Sequence, residues 1–515
     1  MTGRVLMIQG TSSSAGKSLL VAALCRIFAR RGVRVAPFKS QNMSNNAAVC
    51  ADGGEIGRSQ AFQACAAGIA PTVDMNPILL KPEAEARSQV IVNGQRWQTL
   101  EARQYFDTRQ VLWPFVTAAL DRLRNAYDLV VIEGAGSPAE LNLRAVEIVN
   151  MSVARYCQAP VLLVGDIERG GVFAQLLGTL WLLDDDERSL VQGLLVNKFR
   201  GDVSLFDEGR TMLEQRGGTP VLGVIPWVSD LNLPDEDAEP LSRGSHSSAQ
   251  PGEIDIAVVR LPRISNFDDF DPLAAEPGVR VRYVETVAQL GSPDVVILPG
   301  TKSTMADLDW LQKAGLGARI VDLAADGTHV AGICGGYQML GQVLQDPELV
   351  ESDVRQMPGL GLLPTTTVFQ SRKETRQVCG VIRDARHCPG AAGQQVTGYE
   401  IHLGQTSGSQ PWLQLTPGNS GSMVADGAVS GDGRIWGCYL HGLFGNDGFR
   451  RHWLCTVRGQ VASQRSMPTG RAESPFTPFT ETVDASLNRL ADRVESALNM
   501  ERLEQIVWNQ TEVLK

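Results

Sequence analysis

At 515 residues the chain is long enough for about two to four domains, and its 43% hydrophobic and 20% charged composition suits a soluble globular protein. A net charge of -10 excludes the basic footprint of a nucleic-acid binder, but it leaves room for anionic substrates held by local lysines and backbone amides. The nine cysteines include no CxxC pair, so neither a zinc pattern nor a disulfide framework is expected; no apolar run approaches the roughly 18 residues of a membrane span, and the expected compartment is the cytoplasm.

The first apolar run, RVLMIQ, leads directly into GTSSSAGKS and then into KSLLVAALCRIFARR, whose apolar residues recur at helical spacing until Gly32 stops them. Strand, small-residue loop and helix in that order make an anion site. Backbone N–H groups from Gly10, Thr11, Ala15 and Gly16 are free to turn inward, and the helix adds its positive N-terminus. Lys17 is positioned to reach the terminal phosphates of ATP, and the Ser18 hydroxyl to ligate Mg²⁺. The spacing is unusual: five residues separate Gly10 from Gly16, and Thr11 stands where the usual loop has its first Gly.

Further apolar runs follow: VRVAPF, YDLVVIE, APVLLVG, GLLVNKF and PVLGVIP. Their near-continuous apolarity predicts strands buried on both faces of a parallel sheet. Glu133 ends one of them, at the edge where ligands gather in open α/β sheets, and is a candidate metal ligand. The loop DGGEIGRSQA offers Asp52 and Glu55 as additional acids, with Glu55 the further metal candidate. Asn197, in VNKFRGD, is a candidate reader of a purine edge.

Residues 229–253 turn polar and rich in Pro, Gly and Ser, which marks a linker between a first domain at 1–228 and a second at 254–455. Alternation resumes with IDIAVVRLP, VRVRYVE, PDVVILPG and THVAGIC, predicting a second open α/β sheet. In HVAGICGGYQMLG, Cys334 sits between strand and helix with Gly332, Gly335 and Gly336 around it, as a nucleophile on a sharp turn requires. The helix start favours a thiolate, and the N–H of Gly335 is a candidate oxyanion donor. Gln338 completes the G-x-C-x-G-x-Q pattern. A thiol nucleophile needs a base; among six histidines, His441 in YLHGLFG is the first candidate and His402 in GYEIHLG the second. Gly300, in ILPGTKST, marks the expected second oxyanion donor. The stretch 456–515 is amphipathic and predicts a helical C-terminal tail.

Cys334 and His441 resemble the pair of class I (triad) glutamine amidotransferase domains, and GTSSSAGKS resembles the loop of the dethiobiotin synthetase group of P-loop enzymes. To about residue 455 the chain is similar to the cobyric acid synthase family, glutamine-hydrolysing amidases of cobalamin biosynthesis. The stretches that carry this are FKSQNMSNNAAVCADGGEIGRSQA, MNPILLKP, IEGAGSPAELNLR, VGDIERGGVFAQLLGT, NKFRGD, LPRISNFDDFDPL, LPGTKST and GYEIHLG. The resemblance implies an α/β protein of two doubly wound domains: a P-loop NTPase-like parallel sheet, then a flavodoxin-like glutaminase. It also implies ATP, Mg²⁺ and glutamine as reactants, and a corrinoid, adenosylcobyrinic acid a,c-diamide, amidated at its b, d, e and g carboxylates. It gives no oligomeric state.

Three positions depart from the pattern. Most class I glutaminases carry an acid two residues after the histidine; here Leu443 occupies that place, so the group orienting His441 is unassigned. Glu168 replaces the usual Asp, and Cys438 the usual Thr. Loop acids and a lone Lys are ordinarily solvated, so SNFDDFDPL and MNPILLKP, although they suit a corrin-facing surface, are left without a role. The nearest alternative is a cobyrinic acid a,c-diamide synthase, which shares the two-domain logic. A P-loop switch ATPase with an inactive glutaminase-like module is the alternative of another class. Such switches carry a signature Lys five residues before the catalytic one, where this chain has Ser12.

Overall fold

All six apolar runs of the first half become neighbours in one parallel sheet. In the computed structural model, which describes residues 2–84, 87–228, 231, 252–418, 422–465 and 477–509, these strands are β1 (Arg4–Gly10), β2 (Val35–Phe38), β3 (Leu129–Glu133), β4 (Val161–Asp166), β5 (Val191–Phe199) and β6 (Val221–Pro226). Their order is β6-β5-β4-β1-β3-β2, every pairing parallel. From β1 the chain passes to the edge strand β2, returns to β3, then crosses to β4 on the other side of β1 and continues outward to β5 and β6, so the direction of winding reverses beside β1, the place where such sheets bind ligands. Val5 and Met7 face one core cluster, Leu6 and Ile8 the other. With both faces covered, the two-residue alternation of a strand puts apolar residues at consecutive positions.

The second half repeats the logic with β7 (Ile254–Val259), β8 (Val279–Val284), β9 (Val295–Leu298), β10 (His329–Ile333), β11 (Ala428–Val429) and β12 (Ile435–Cys438). The order is β8-β7-β9-β10-β12-β11, parallel throughout except for the short antiparallel β11. Both doubly wound sheets are thus as expected. Absent from the sequence reading were the antiparallel parts. These are Ile78–Ala84, Arg87–Val92 and Gln95–Glu101 in the first half, and the long pair Thr366–Ile382 with Gln395–Ser407 in the second.

Among the described residues the chain divides into two compact units. One draws on Met1–Ser44, Glu55–Leu233 and Val483–Lys515, the other on Asn45–Gly54 and Pro234–Thr482. The expected linker at 229–253 lies almost wholly outside the described residues. The expected boundary at 455 falls within a helix, Asp447–Arg465.

The first helix, α1 (Lys17–Arg30), and two late ones share a core. The tail does form helices, α3 (Phe479–Ala497) and α4 (Met500–Trp508), with a short helix, α2 (Gly335–Leu340), preceding them in the chain. Leu487, Leu490, Val494, Leu503 and Val507 pack into the cluster that holds Leu20, Val21, Leu24 and Phe28 of α1. Arg30 pairs with Asp492 at 2.6 Å and Arg31 with Glu495 at 2.5 Å. Such exposed pairs contribute at most about 1 kcal/mol each, whereas each buried leucine contributes about 1.5–3 kcal/mol. Apolar burial therefore holds the tail in place. Among the described residues no helix is long and apolar enough to cross a membrane.

Candidate functional site

The strand ends Gly10, Glu133, Asp166 and Asn197 gather at the C-terminal edge of the first sheet, beside the start of α1. The loop between β1 and α1 explains its own odd spacing. Thr11 donates its N–H to the Val164 carbonyl at 2.9 Å, so the extra residue prolongs the strand pairing by one step. Its hydroxyl donates to Gln175 Oε1 at 3.0 Å. Gly16 then turns the chain with φ +93°, and a Cβ there would lie 2.2 Å from Asn197 Nδ2; both the backbone angle and the space require glycine. Ala15 is fully buried, and its carbonyl accepts from Asn197 Nδ2 at 2.9 Å. Asn197 thus anchors the loop from below.

Lys17 Nζ donates to the carbonyls of Ser12 (3.0 Å) and Gly136 (3.2 Å), joining the loops that follow β1 and β3. Ser18 Oγ donates to Glu133 Oε1 at 2.9 Å, and Lys39 Nζ meets the same oxygen at 2.7 Å. Gln63 Nε2 donates to the other oxygen. Lys39 and Gln63 escaped the sequence reading: Lys39 directly follows β2 and Gln63 lies in the helix Arg58–Ala66, and neither belongs to a spacing pattern that flags it. Glu55 is placed elsewhere: its carboxylate faces Lys81 Nζ at 3.5 Å in a buried ion pair. The lysine of MNPILLKP is accordingly buried, not solvated. Asp52 accepts from the N–H of Gly54 at 3.0 Å, which is turn chemistry. Glu168 pairs with Arg200 at 2.7 Å.

These groups fit a magnesium–nucleotide complex. Ser18 Oγ and Glu133 Oε1 are adjacent hard oxygen donors, the kind Mg²⁺ takes alongside phosphate and water. Among the described residues no group of three or more His, Cys, Asp or Glu forms a self-sufficient metal cage.

In the second sheet, Cys334 follows β10 at φ 51° and ψ -108°, a left-handed backbone for a residue with a Cβ. The turn is possible because its neighbours are glycines: a Cβ on Gly336 would meet the Leu298 carbonyl oxygen at 1.9 Å. Such strain persists only where surrounding contacts impose it. Here the Cys334 N–H donates to the Cys438 carbonyl at 2.8 Å, and Sγ lies 3.5 Å from the Ile401 carbonyl. Gly335 abuts the loop after Gly300, since a Cβ on Gly335 would touch Thr301 Cγ2 at 2.7 Å. Gly300 in turn faces the base, as a Cβ there would stand 2.9 Å from His441 Cε1. The two segments expected to supply oxyanion donors therefore converge beside Cys334 and His441.

Gln338 is only 2% exposed, and both ends of its amide are engaged. Oε1 accepts from Thr304 Oγ1 at 2.9 Å and Nε2 donates to Tyr439 Oη at 3.1 Å. These two contacts brace the turn that carries Cys334. His402 stacks on Tyr439 with ring centroids 3.8 Å apart and turns Nδ1 to the Gly404 carbonyl, so it is not the base. Cys438 is fully buried, and burial pushes its thiol well above the usual range.

The group missing after Leu443 comes from far away in sequence. Asp269, 172 residues before His441, places Oδ2 2.7 Å from His441 Nδ1. Its other oxygen accepts from the Gly442 N–H at 2.7 Å. Burial alone would push the imidazolium down; the carboxylate of Asp269, with Cys334 beside it, outweighs that and raises His441 to about 10. Tyr399 stacks on the ring at 5.2 Å, and Asn266 Nδ2 lies 3.3 Å from Nε2. Asp269 belongs to SNFDDFDPL. The only signal in the sequence was a pair of acids set among aromatics, and no spacing rule ties them to a histidine so distant.

Comparisons with known proteins agree with both halves. Residues 6–241 match the CobQ/CobB/MinD/ParA nucleotide binding domain, and residues 255–449 the CobB/CobQ-like glutamine amidotransferase domain. A cobyric acid synthase of Chloroflexus aurantiacus is 52% identical over 98% of this chain and 100% of its own length. One of Roseiflexus castenholzii is 55% identical over 95% and 98%, respectively. Another, from Sorangium cellulosum, is 50% identical over 98% and 99%.

Proposed function

Because this chain belongs to the cobyric acid synthase family, we propose that it amidates the b, d, e and g carboxylates of adenosylcobyrinic acid a,c-diamide, using ATP and glutamine, to give adenosylcobyric acid. The observation that carries the reading is the presence in one chain of two complementary devices. One is a phosphate loop with Ser18 on Glu133; the other is a strained Cys334 beside a histidine held by Asp269.

A carboxylate is a poor acyl donor, since its leaving group would be oxide. Transfer of the γ-phosphoryl group of ATP onto the carboxylate oxygen releases ADP and leaves an acyl phosphate. Ammonia then attacks the acyl carbon and inorganic phosphate departs. The loop N–H groups and Lys17 hold the phosphates in line and offset their charge. Ser18 and Glu133 would hold Mg²⁺, which supplies further charge neutralisation across the phosphates.

At the other site Cys334 Sγ attacks the side-chain amide carbon of glutamine. N–H groups of the Gly335 and Gly300 segments receive the oxyanion. His441, held as the imidazolium by Asp269, gives a proton to the departing ammonia. It then takes one from the water that hydrolyses the thioester to glutamate. The enzyme works in the cytoplasm, in keeping with nine unpaired cysteines.

Mass spectrometry of products from the a,c-diamide with ATP, Mg²⁺ and glutamine tests this. Up to four successive amidations are expected; none would reject the acceptor and return the a,c-diamide synthase to consideration.

A further inference from the structure

Two loops of the second unit are zipped together beside Cys334. The loop after β9 carries Gly300, Thr301 and Lys302, and the loop after β7 carries Arg263, Ile264 and Ser265. Ser265 donates its N–H to the Gly300 carbonyl at 2.9 Å, and Lys302 donates its own to the Arg263 carbonyl at 3.0 Å. Between these bonds Ile264 and Thr301 stand opposite each other in an antiparallel bridge. Where the bonds flank such a pair instead of joining it, both N–H groups point away from the partner strand. The Thr301 N–H therefore turns towards α2, where a Cβ on Gly335 would lie 3.2 Å from the nitrogen. Among the described residues this N–H has no acceptor.

The side chain of Thr301 decides where that N–H sits. Its hydroxyl bonds Asp307 Oδ2, and the same oxygen accepts from the Arg263 N–H at 3.1 Å. One carboxylate thus grips both strands of the small ladder, and its other oxygen lies 3.4 Å from Arg263 Nη1. Fixing the hydroxyl of a β-branched residue fixes its methyl as well, and the methyl of Thr301 is the group that abuts Gly335. Asp307 is itself firmly mounted. It is fully buried on the helix Thr304–Lys313, whose Met305, Leu308 and Leu311 enter the core of the second sheet. The helix start is pinned twice: Glu351 accepts from the Thr304 N–H, and Thr304 Oγ1 donates to Gln338. An apolar residue would fill this place without the cost of burying a charge. It could not hold the Thr301 hydroxyl and the Arg263 N–H at one point.

We propose that Asp307 is the positioning residue of the oxyanion site and that Thr301 supplies the second donor through its main chain. As Cys334 Sγ bonds to the amide carbon of glutamine, the carbonyl electron pair moves onto oxygen, between the N–H groups of Gly335 and Thr301. When that pair returns, the carbon–nitrogen bond breaks and ammonia leaves with the proton from His441. Asp307 touches neither glutamine nor Cys334. It acts by keeping the Thr301 N–H beside Gly335, since a donor displaced by about 1 Å forfeits about a hundredfold in rate. The inference rests on the glutaminase reading above and names the residue that builds its oxyanion site.

Asp307→Ala, Thr301→Val and Thr301→Ser test it in the full-length protein. Glutamate release, alkylation of Cys334 by iodoacetamide and ammonium-driven amidation are measured on each. In Asp307→Ala, kcat for glutamate release is expected to fall about a hundredfold with the KM for glutamine within about twofold, because the interaction lost is made only in the transition state. Alkylation forms no oxyanion, so it should stay within about twofold of wild type, as should ammonium-driven amidation. An unchanged kcat, a rise in KM with kcat kept, or a parallel loss of alkylation overturns the proposal. Thr301→Val removes the hydroxyl at nearly constant shape and should lower kcat about tenfold. Thr301→Ser keeps the hydroxyl and should remain within about threefold of wild type. This pair decides the question if Asp307→Ala does not fold, and equal rates in the two Thr301 variants overturn the proposal. A wild type that releases no glutamate would overturn the glutaminase reading, and this inference with it.

Discussion

Replacing Asp269 by Asn keeps the shape of the side chain and removes its charge. In the protein this carboxylate lies 2.7 Å from His441 Nδ1, with both side chains almost fully buried. Taking roughly 4 Å between charge centres and an effective dielectric of about 20, the carboxylate supports the imidazolium by about 4 kcal/mol. Loss of that support slows a step that needs the cation by about a thousandfold. Glutamate release should fall accordingly, while amidation driven by ammonium, which bypasses Cys334 and His441, should stay within about twofold of wild type. The pH profile provides a second readout. With His441 raised to about 10, the imidazolium persists through neutrality and the alkaline limb appears only as pH passes that value. Without the Asp269 charge, burial dominates and pushes the imidazolium down, so the limb moves to lower pH. A variant whose glutamate release stays within about threefold of wild type, with its alkaline limb unmoved, would refute the assignment of Asp269.

Cys334→Ala should abolish glutamine-driven amidation and leave ammonium-driven amidation within about twofold of wild type, both read by product mass; loss of both in a folded variant would count against two separable reactions. Lys17→Ala should impair amidation from either nitrogen source, and normal turnover with ammonium would reject the phosphate loop as the site of carboxylate activation. Leu490→Ala should destabilise the first unit by about 2–5 kcal/mol in denaturant unfolding, the usual cost of emptying a buried leucine site. Arg30→Ala, which loses a surface pair with Asp492, should cost no more than about 1 kcal/mol, and a reversed ranking would mean that ion pairs hold the tail.

The parallel sheets were legible because burial on both faces writes itself into consecutive residues. Leu6 and Ile8 must suit one core while Val5 and Met7 suit the other, and the result is an apolar run bounded by turn residues. The antiparallel pair Thr366–Ile382 and Gln395–Ser407 lacks that property. It is exposed along much of one strand and carries charges such as Arg372 and Glu374 among its apolar positions, so its pattern reads as loop. The tail's helical periodicity was visible, but not its destination, since an amphipathic face does not say which core it completes. That α3 and α4 return to α1 is a fact of long-range packing alone.

A comparable division runs through the site. Where chemistry depends on residues a few positions apart, as in GTSSSAGKS or around Cys334, backbone geometry dictates the spacing and the sequence displays it. Where it depends on two loops meeting, the sequence supplies only candidates. Glu55 and Glu133 are equally acidic on paper, yet the fold sets one against Lys81 and the other against Ser18. Leu443 left His441 without an expected partner, and that vacancy was itself informative. A buried imidazole that must carry charge requires a carboxylate somewhere, because an uncompensated buried cation costs several kcal/mol. The search then narrows to acids that a strand end brings to the same edge. Asp269 follows the end of β7, His441 that of β12, and in a parallel sheet both ends open on one side. The missing acid is therefore dictated by topology even where no local motif announces it.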